Sequence, residues 1–164
     1  MFDKLSIRDV VSWNALIGGY IHNGLGEEAL KCYAKMQDEG IMPDVVTYAC
    51  VLKACGIIGC VEIGEAIHAK VRKEGLLGRS VNLGTALVDM YAKCGALTKA
   101  QEVFDALPFQ DLISWNSLMR GYAQIGHNDS VFDSFKKMVE KGIIPDQVTF
   151  SIVLNACCHS GLVD

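Results

Sequence analysis

The sequence predicts an all-α fold, a right-handed α-α superhelix built as a solenoid of tandem helix-turn-helix units. The first observation behind this is self-similarity. DVVSWNALIGGYIHNGLGEEALKCYAKMQDEGIMP from Asp9 and DLISWNSLMRGYAQIGHNDSVFDSFKKMVEKGIIP from Asp111 agree at 13 of 35 positions without a gap. The stretches that follow them, DVVTYACVLKACGIIGCVE from Asp44 and DQVTFSIVLNACCHSGLVD from Asp146, agree at 9 of 19 positions with the same offset of 102 residues. The second observation is that this period divides into units of 35, 36 and 31 residues, opening at Asp9, Asp44 and Ser80. The third is that every unit carries apolar residues at helical spacing, punctuated by Gly and Pro.

The first unit shows the grammar. Trp13, Leu16, Ile17 and Tyr20 follow the i, i+3, i+4, i+7 rule of a helix with one apolar face. His22–Gly26 breaks it, with Gly24 and Gly26 able to take the left-handed cap conformation. A second helix is expected from about Glu27 to Glu39, with Ala29, Tyr33 and Met36 on one face; Gly40 stops it and Pro43 blocks its continuation. The pattern returns with Ala100, Val103, Phe104 and Leu107 ahead of Pro108, and with Val131, Phe135 and Met138 ahead of Gly142 and Pro145. About nine helices and no strand follow. A pair of this size cannot bury its apolar face alone, so neighbours must stack.

The opening MFDKLSIR matches Val103–Gln110 at Phe, Asp and Leu. The chain is therefore expected to begin in the last turn of one unit and to end at Asp164, halfway through another. A helix in 146–164 without its partner would leave Val148, Ile152, Val153 and Leu154 incompletely covered and prone to self-association.

Composition narrows the function. Hydrophobic residues make up 51% and charged residues 21%, which is the balance of an ordered chain. No apolar run approaches membrane-spanning length, so no membrane partner is expected. The formal charge of −4 excludes a basic nucleic-acid-binding arm, so any polyanion must be held by specific contacts. Seven Cys, an odd number without a CxxC pair, read as free thiols serving as small core residues. Cys157, Cys158 and His159 are adjacent, and helical neighbours point about 100° apart, so no shared metal site is expected. No nucleophile triad, phosphate loop or HxE…PCxxC deaminase signature is present, so neither catalysis nor a cofactor is expected.

The 35/36/31 triplet, SWNALIGGY and SWNSLMRGY, LKACGIIGCVEIGEAIH and TALVDMYAKCGALTKAQEVFDALP together resemble plant pentatricopeptide repeat proteins, and more narrowly their PLS subclass. The resemblance implies the array end of S (1–8), P (9–43), L (44–79), S (80–110), P (111–145) and partial L (146–164). It also implies single-stranded RNA binding in mitochondria or chloroplasts, one base per repeat, in a factor for C-to-U editing or RNA processing. The base-reading pairs it implies are Asn14 with Asp44, Thr85 with Asp111 and Asn116 with Asp146. Asn with Asp implies U and Thr with Asp implies G. Ala49 with Ser80 offers no side-chain amide or carboxylate, so the register is U-N-G-U. Val11, Asn82 and Ile113 would flank bases, with Val46 and Val148 in the same place of the L repeats; Asn82 departs from the usual Val. Lys93 would contact the RNA backbone. The L repeats would offer docking sites for small organellar editing cofactor proteins.

The residues support those positions on their own terms. Asn14 lies one step off the Trp13 stripe, and its amide supplies both a donor and an acceptor, as a uracil edge requires. Asp44 can orient that amide. The same residues also suit plain structure, since an Asp after Pro is a good helix N-cap. A protein-binding scaffold of the tetratricopeptide type remains the alternative. That family has a fixed 34-residue period with Gly directly after Leu, whereas here the period varies and Gly18 follows Leu16 two residues on.

Overall fold

The computed structural model describes residues 9–159, with the side chain of His159 left aside. Residues 1–8 and 160–164, with the repeat remnants expected there, lie outside the described residues. Among the described residues the fold is nine α-helices and no strand: α1 (Val10–His22), α2 (Gly26–Asp38), α3 (Val45–Ile58), α4 (Val61–Lys73), α5 (Val81–Lys93), α6 (Leu97–Ala106), α7 (Leu112–Gln124), α8 (Asn128–Glu140) and α9 (Gln147–His159).

Boundaries follow local chemistry. Asp9, Asp44 and Asp111 are N-caps whose carboxylates accept the backbone N–H of Ser12, Thr47 and Ser114 three residues on. Asp146 accepts that of Thr149 in the same way. Ser80 sits at the equivalent place before α5 but makes no side-chain cap bond. Helix ends are closed by Gly: Gly24, between α1 and α2, has φ of 73°, a conformation that a Cβ disfavours.

The helices form two layers. The odd-numbered helices pack on one another in sequence, α1 on α3, α3 on α5, α5 on α7 and α7 on α9. Each even-numbered helix packs on its own partner and on the next odd helix, with no substantial even–even packing. Close spacing in one layer and wide spacing in the other bends the stack, so the odd helices carry the concave face. The core lies between the layers. Trp13, Ile17, Met36, Leu52, Leu87 and Met138 are fully buried there, each contributing about 1.5–3 kcal/mol by leaving water. Phe104 meets Trp115 edge-on at 4.6 Å between ring centres, joining α6 to the next unit. In α9, which has no following helix among the described residues, Ile152 is buried while Val148, Phe150 and Leu154 are exposed.

Two expectations need correction. Gly26 does not take the left-handed conformation; it is the first residue of α2. A Cβ there would lie 2.7 Å from Ile58 Cγ2 and 3.0 Å from the carbonyl oxygen of Ala54, so Gly is required by close approach to α3. The thiols are all free, and Cys55 is buried with Cys32, Cys50 and Cys94 packed partly buried against the core, but Cys158 is exposed.

Glycines inside helices thus divide into two kinds, which gives a stability test. Gly18 has no neighbour within 4 Å of an added Cβ, so Gly18→Ala is expected to stabilise by about 0.5–1 kcal/mol through chain entropy. An added Cβ at Gly121 would lie 3.0 Å from Ala92 Cβ and 2.5 Å from Leu97 Cδ2. Gly121→Ala is therefore expected to destabilise by about 1–3 kcal/mol. Urea denaturation of both variants checks the opposite signs.

Candidate nucleic-acid interface

The first turns of the odd helices bring the expected pairs together. Asn14 projects from α1 towards the cap of α3, where its Nδ2 donates to Asp44 Oδ1 at 3.0 Å. Asn116 on α7 repeats this with Asp146 Oδ1 at 3.2 Å. Thr85 on α5 reaches towards Asp111, with its hydroxyl 3.5 Å from both carboxylate oxygens, the outer limit of a hydrogen bond. Ala49 and Ser80 occupy the remaining junction with no hydrogen bond between their side chains. Three of the four junctions thus join the fifth residue after one cap to the next cap, and the fourth places the same two positions together without a bond.

The sequence pointed to the pairs but not to their third member. At the α1–α3 junction, the Thr47 hydroxyl lies 2.6 Å from Asn14 Oδ1, and the same oxygen accepts the Asp44 backbone N–H at 3.1 Å. At the α7–α9 junction, the Thr149 hydroxyl lies 2.7 Å from Asn116 Oδ1. Both threonines are fully buried. The visible signal was the D-x-x-T cap pattern, which by itself reads only as helix capping.

The flanking positions form a row on the concave face. Val11, Val46 and Ile113 are 69%, 55% and 63% exposed, and Val148 and Asn82 are exposed as well. Large β-branched side chains left in water at one repeated position suit contact with flat apolar rings. A groove of about 560 Å³ runs along α3, α5, α7 and the start of α9, lined by Val46, Thr85, Asp111, Ile113, Asn116 and Asp146 among others. Asn14 is half-buried, whereas Asn116 is only 7% exposed and reaches the groove with little of its surface.

The groove charges are mixed. Lys93 directs its ammonium to Asp89 Oδ2 at 2.7 Å, and Asp89 Oδ1 also accepts from the Ser117 hydroxyl at 3.1 Å. A phosphate at Lys93 would compete with that ion pair. Lys53 and Arg120 line the same groove, are exposed, and make no ion pair among the described residues. Sequence reading passed over both, although Lys53, Asp89 and Arg120 all stand nine residues after their unit's opening residue. No group of three or more metal-ligating side chains occurs among the described residues, and no described helix is long and apolar enough to cross a membrane.

The caps depend on ionised carboxylates. For Asp44, burial acts to raise the pKa. The Thr47 backbone N–H, the Asn14 amide and the Thr47 hydroxyl outweigh it and hold the group below the ordinary 3.8. For Asp146, the Thr149 N–H and hydroxyl, helped by Asn116, lower it. A carboxylate depressed in the folded state contributes stability that is complete above its unfolded pKa and lost as pH falls through the folded value. The Asp44 contribution is therefore full at neutral pH, begins to fall near pH 3.8 and is lost as pH drops through the lowered folded value. Asp44→Ala is expected to lower the urea midpoint clearly at about pH 6 and by less as pH falls below about 3.8.

Comparison with known proteins accords with this architecture. The PPR repeat family profile matches residues 8–56 and 110–159, and a PPR repeat profile matches residues 85–108. A chloroplastic pentatricopeptide repeat-containing protein of Arabidopsis thaliana is 43% identical over 166 residues, covering 100% of this chain and 22% of the relative. A second, also chloroplastic and from the same plant, is 48% identical over 156 residues, covering 94% and 29%. An Arabidopsis thaliana relative named as mitochondrial is 39% identical over 164 residues, covering 100% and 27%. The chain therefore spans about a quarter of the length of these relatives. Among solved structures, the pentatricopeptide repeat protein PPR10 in complex with an 18-nt psaJ RNA element superposes with a TM-score of 0.80. The identity is 19%, and the match covers 94% of this chain and 23% of that one. The likeness establishes a shared helical-repeat fold. With its profile matches and its relatives taken together, the chain belongs to the pentatricopeptide repeat family.

Proposed function

We propose that this chain is a sequence-selective single-stranded RNA-binding module, reading one base per helix pair, and that it serves as part of the targeting array of an organellar C-to-U editing or RNA-processing factor. The observation that carries the reading is the recurrence of one constellation. Asn14–Asp44 and Asn116–Asp146 stand 102 residues apart on the concave layer, each with an exposed β-branched residue at the head of the same helix. Thr85–Asp111 occupies a junction between them. A capping role alone accounts for the aspartates but not for an amide presented at the same junction twice.

On this reading the array is P (9–43), L (44–79), S (80–110), P (111–145) and the start of a second L, and the register is U-N-G-U. Val11, Asn82 and Ile113 flank bases. Lys53 and Arg120, which line the groove and make no ion pair among the described residues, join Lys93 as backbone contacts. The module binds and does not itself catalyse. The relatives named chloroplastic and mitochondrial support an organellar location. The 44–79 unit, with Ala49 in place of a reader and Ile57, Ile58 and Ile63 exposed, is the segment best suited to dock a small organellar editing cofactor protein.

Few repeats and a net charge of −4 imply weak binding, on the order of 10⁻⁴–10⁻⁶ M. Competition titrations at low ionic strength, with U, A, G or C at the position facing Asn14, test base reading. Asn14→Ser with Asp44→Asn is expected to move the preference from U towards A. An equal change for all four bases would show that Asn14 and Asp44 are not readers. Alanine at both Lys53 and Arg120 is expected to weaken every sequence alike and to lower the slope of log affinity against log salt by about 1 per residue; an unchanged slope removes them from the backbone contact.

A further inference from the structure

We propose that Thr47 and Thr149 are positioning residues that lock the side-chain amides of Asn14 and Asn116 in one orientation, and that this lock, not the amide alone, separates uracil from cytosine. The inference rests on the base-reading role proposed for Asn14.

The argument is a count of protons and lone pairs. At the first junction three polar groups meet: the Asn14 amide, the Asp44 carboxylate and the Thr47 hydroxyl. The ionised carboxylate has no proton to give. If the amide were turned over, its oxygen would face Asp44 Oδ1 at about 3 Å, lone pair against lone pair. The amide nitrogen must therefore face the carboxylate. Asn14 Oδ1 then faces the Thr47 oxygen at 2.6 Å, and this contact is favourable only if the hydroxyl proton lies between them. Thr47 Oγ1 also sits 3.0 Å from Asp44 Oδ1. A hydroxyl has one proton, however, and sending it there would leave two bare oxygens in the shorter contact. Either choice leaves one oxygen pair without a proton; donation to Asn14 leaves the longer contact bare, 3.0 Å instead of 2.6 Å, and holds the amide at both ends.

The α7–α9 junction repeats the geometry, with Thr149 2.7 Å from Asn116 Oδ1 and Asn116 Nδ2 3.2 Å from Asp146. The α5–α7 junction does not. There the residue three after the cap is Ser114, whose hydroxyl donates to the Asp111 carbonyl at 2.8 Å instead of reaching back to Thr85. The lock therefore occurs where an amide is to be oriented and is absent where a freely rotating hydroxyl takes its place.

The orientation decides base choice because an amide has two unlike ends. With one Nδ2 proton used on Asp44 and one Oδ1 lone pair used on Thr47, Asn14 keeps one donor and one acceptor side by side. Uracil offers a carbonyl oxygen beside N3–H, which meets that donor–acceptor order. Cytosine offers an amino group beside an unprotonated N3, the reverse order. A base held in one register by its flanking residues can exchange with the other pyrimidine only if the amide turns over, and Thr47 opposes that turn.

The test measures the ratio of affinities for U and C at the position facing Asn14, in this chain, with circular dichroism confirming that each variant is folded. Thr47→Val keeps the shape and removes the proton; it is expected to reduce the U-over-C ratio by about three- to tenfold, the worth of one hydrogen bond. Thr47→Ser retains a hydroxyl and is expected to keep most of the ratio. Neither change should alter base preference at the position facing Thr85. An unchanged ratio in Thr47→Val, or an equal loss in folded Thr47→Ser, overturns the lock. Asn14→Ala separates the two readings. If it abolishes the ratio while Thr47→Val does not, the lock alone fails; if it too leaves the ratio intact, the base-reading role fails with it.

Discussion

A carboxylate at the start of a helix has acceptors only, and the structure of each junction here depends on that one-sidedness. Asp44 must collect N–H and O–H donors, and the nearest are the first-turn N–H of its own helix and the amide of the helix before it. One side chain thereby ends one unit and begins the next. The same aspartate that starts α3 fixes where α1 can lie against it, because a shift along the helix axis would strand the Asn14 amide against a group that cannot donate. Helix capping and inter-unit register are therefore one interaction, repeated at Asp146.

The two-layer packing follows from the same economy. The odd helices approach closely enough that small residues are needed where they or their partners meet, as at Gly26 against Ala54 and Gly121 against Ala92. The even helices pack on their own partner and the next odd helix, meet one another only lightly, as through the Lys99–Glu65 ion pair, and carry much of the charged surface. Curvature results, and it gathers the first turns of α1, α3, α5, α7 and α9 along one side. The polar junctions, the row of exposed Val and Ile, and the exposed Lys53 and Arg120 all fall on that side. The proposed RNA path needs no feature that packing had not already aligned.

Much of this was legible in the chain itself. The 102-residue offset and the 35/36/31 division located every helix pair, because apolar spacing and Gly or Pro breaks are local properties. Asn14 and Asp44 were also legible as a pair, since both stand at repeated places. What was not legible depended on contacts between units. Gly26 looked like a cap glycine because its neighbour in space, Ala54, is remote in sequence. Lys93, expected at the RNA backbone, is held by Asp89 one turn earlier on the same helix face, a contact set by side-chain rotamers and not by spacing alone. Thr47 was hidden by its own adequacy: a D-x-x-T cap explains itself, so nothing in the string of letters indicates that the hydroxyl also serves the preceding helix. The cysteines looked like core residues by type; Cys55 is buried and Cys32, Cys50 and Cys94 pack against the core, whereas Cys158 is exposed.

The shared caps bear on how such arrays change by insertion and exchange. A unit cut from Asp to Asp looks self-contained, but its fifth residue is held by atoms belonging to its successor, Asp44 and Thr47 in the case of Asn14. Swapping a unit at its apparent boundary would separate the amide from the groups that set its direction and place it beside whatever cap comes next. The inheritable cassette is out of phase with the visible one: for Asn14 it runs from Trp13 through Thr47, carrying the side chain together with its keepers.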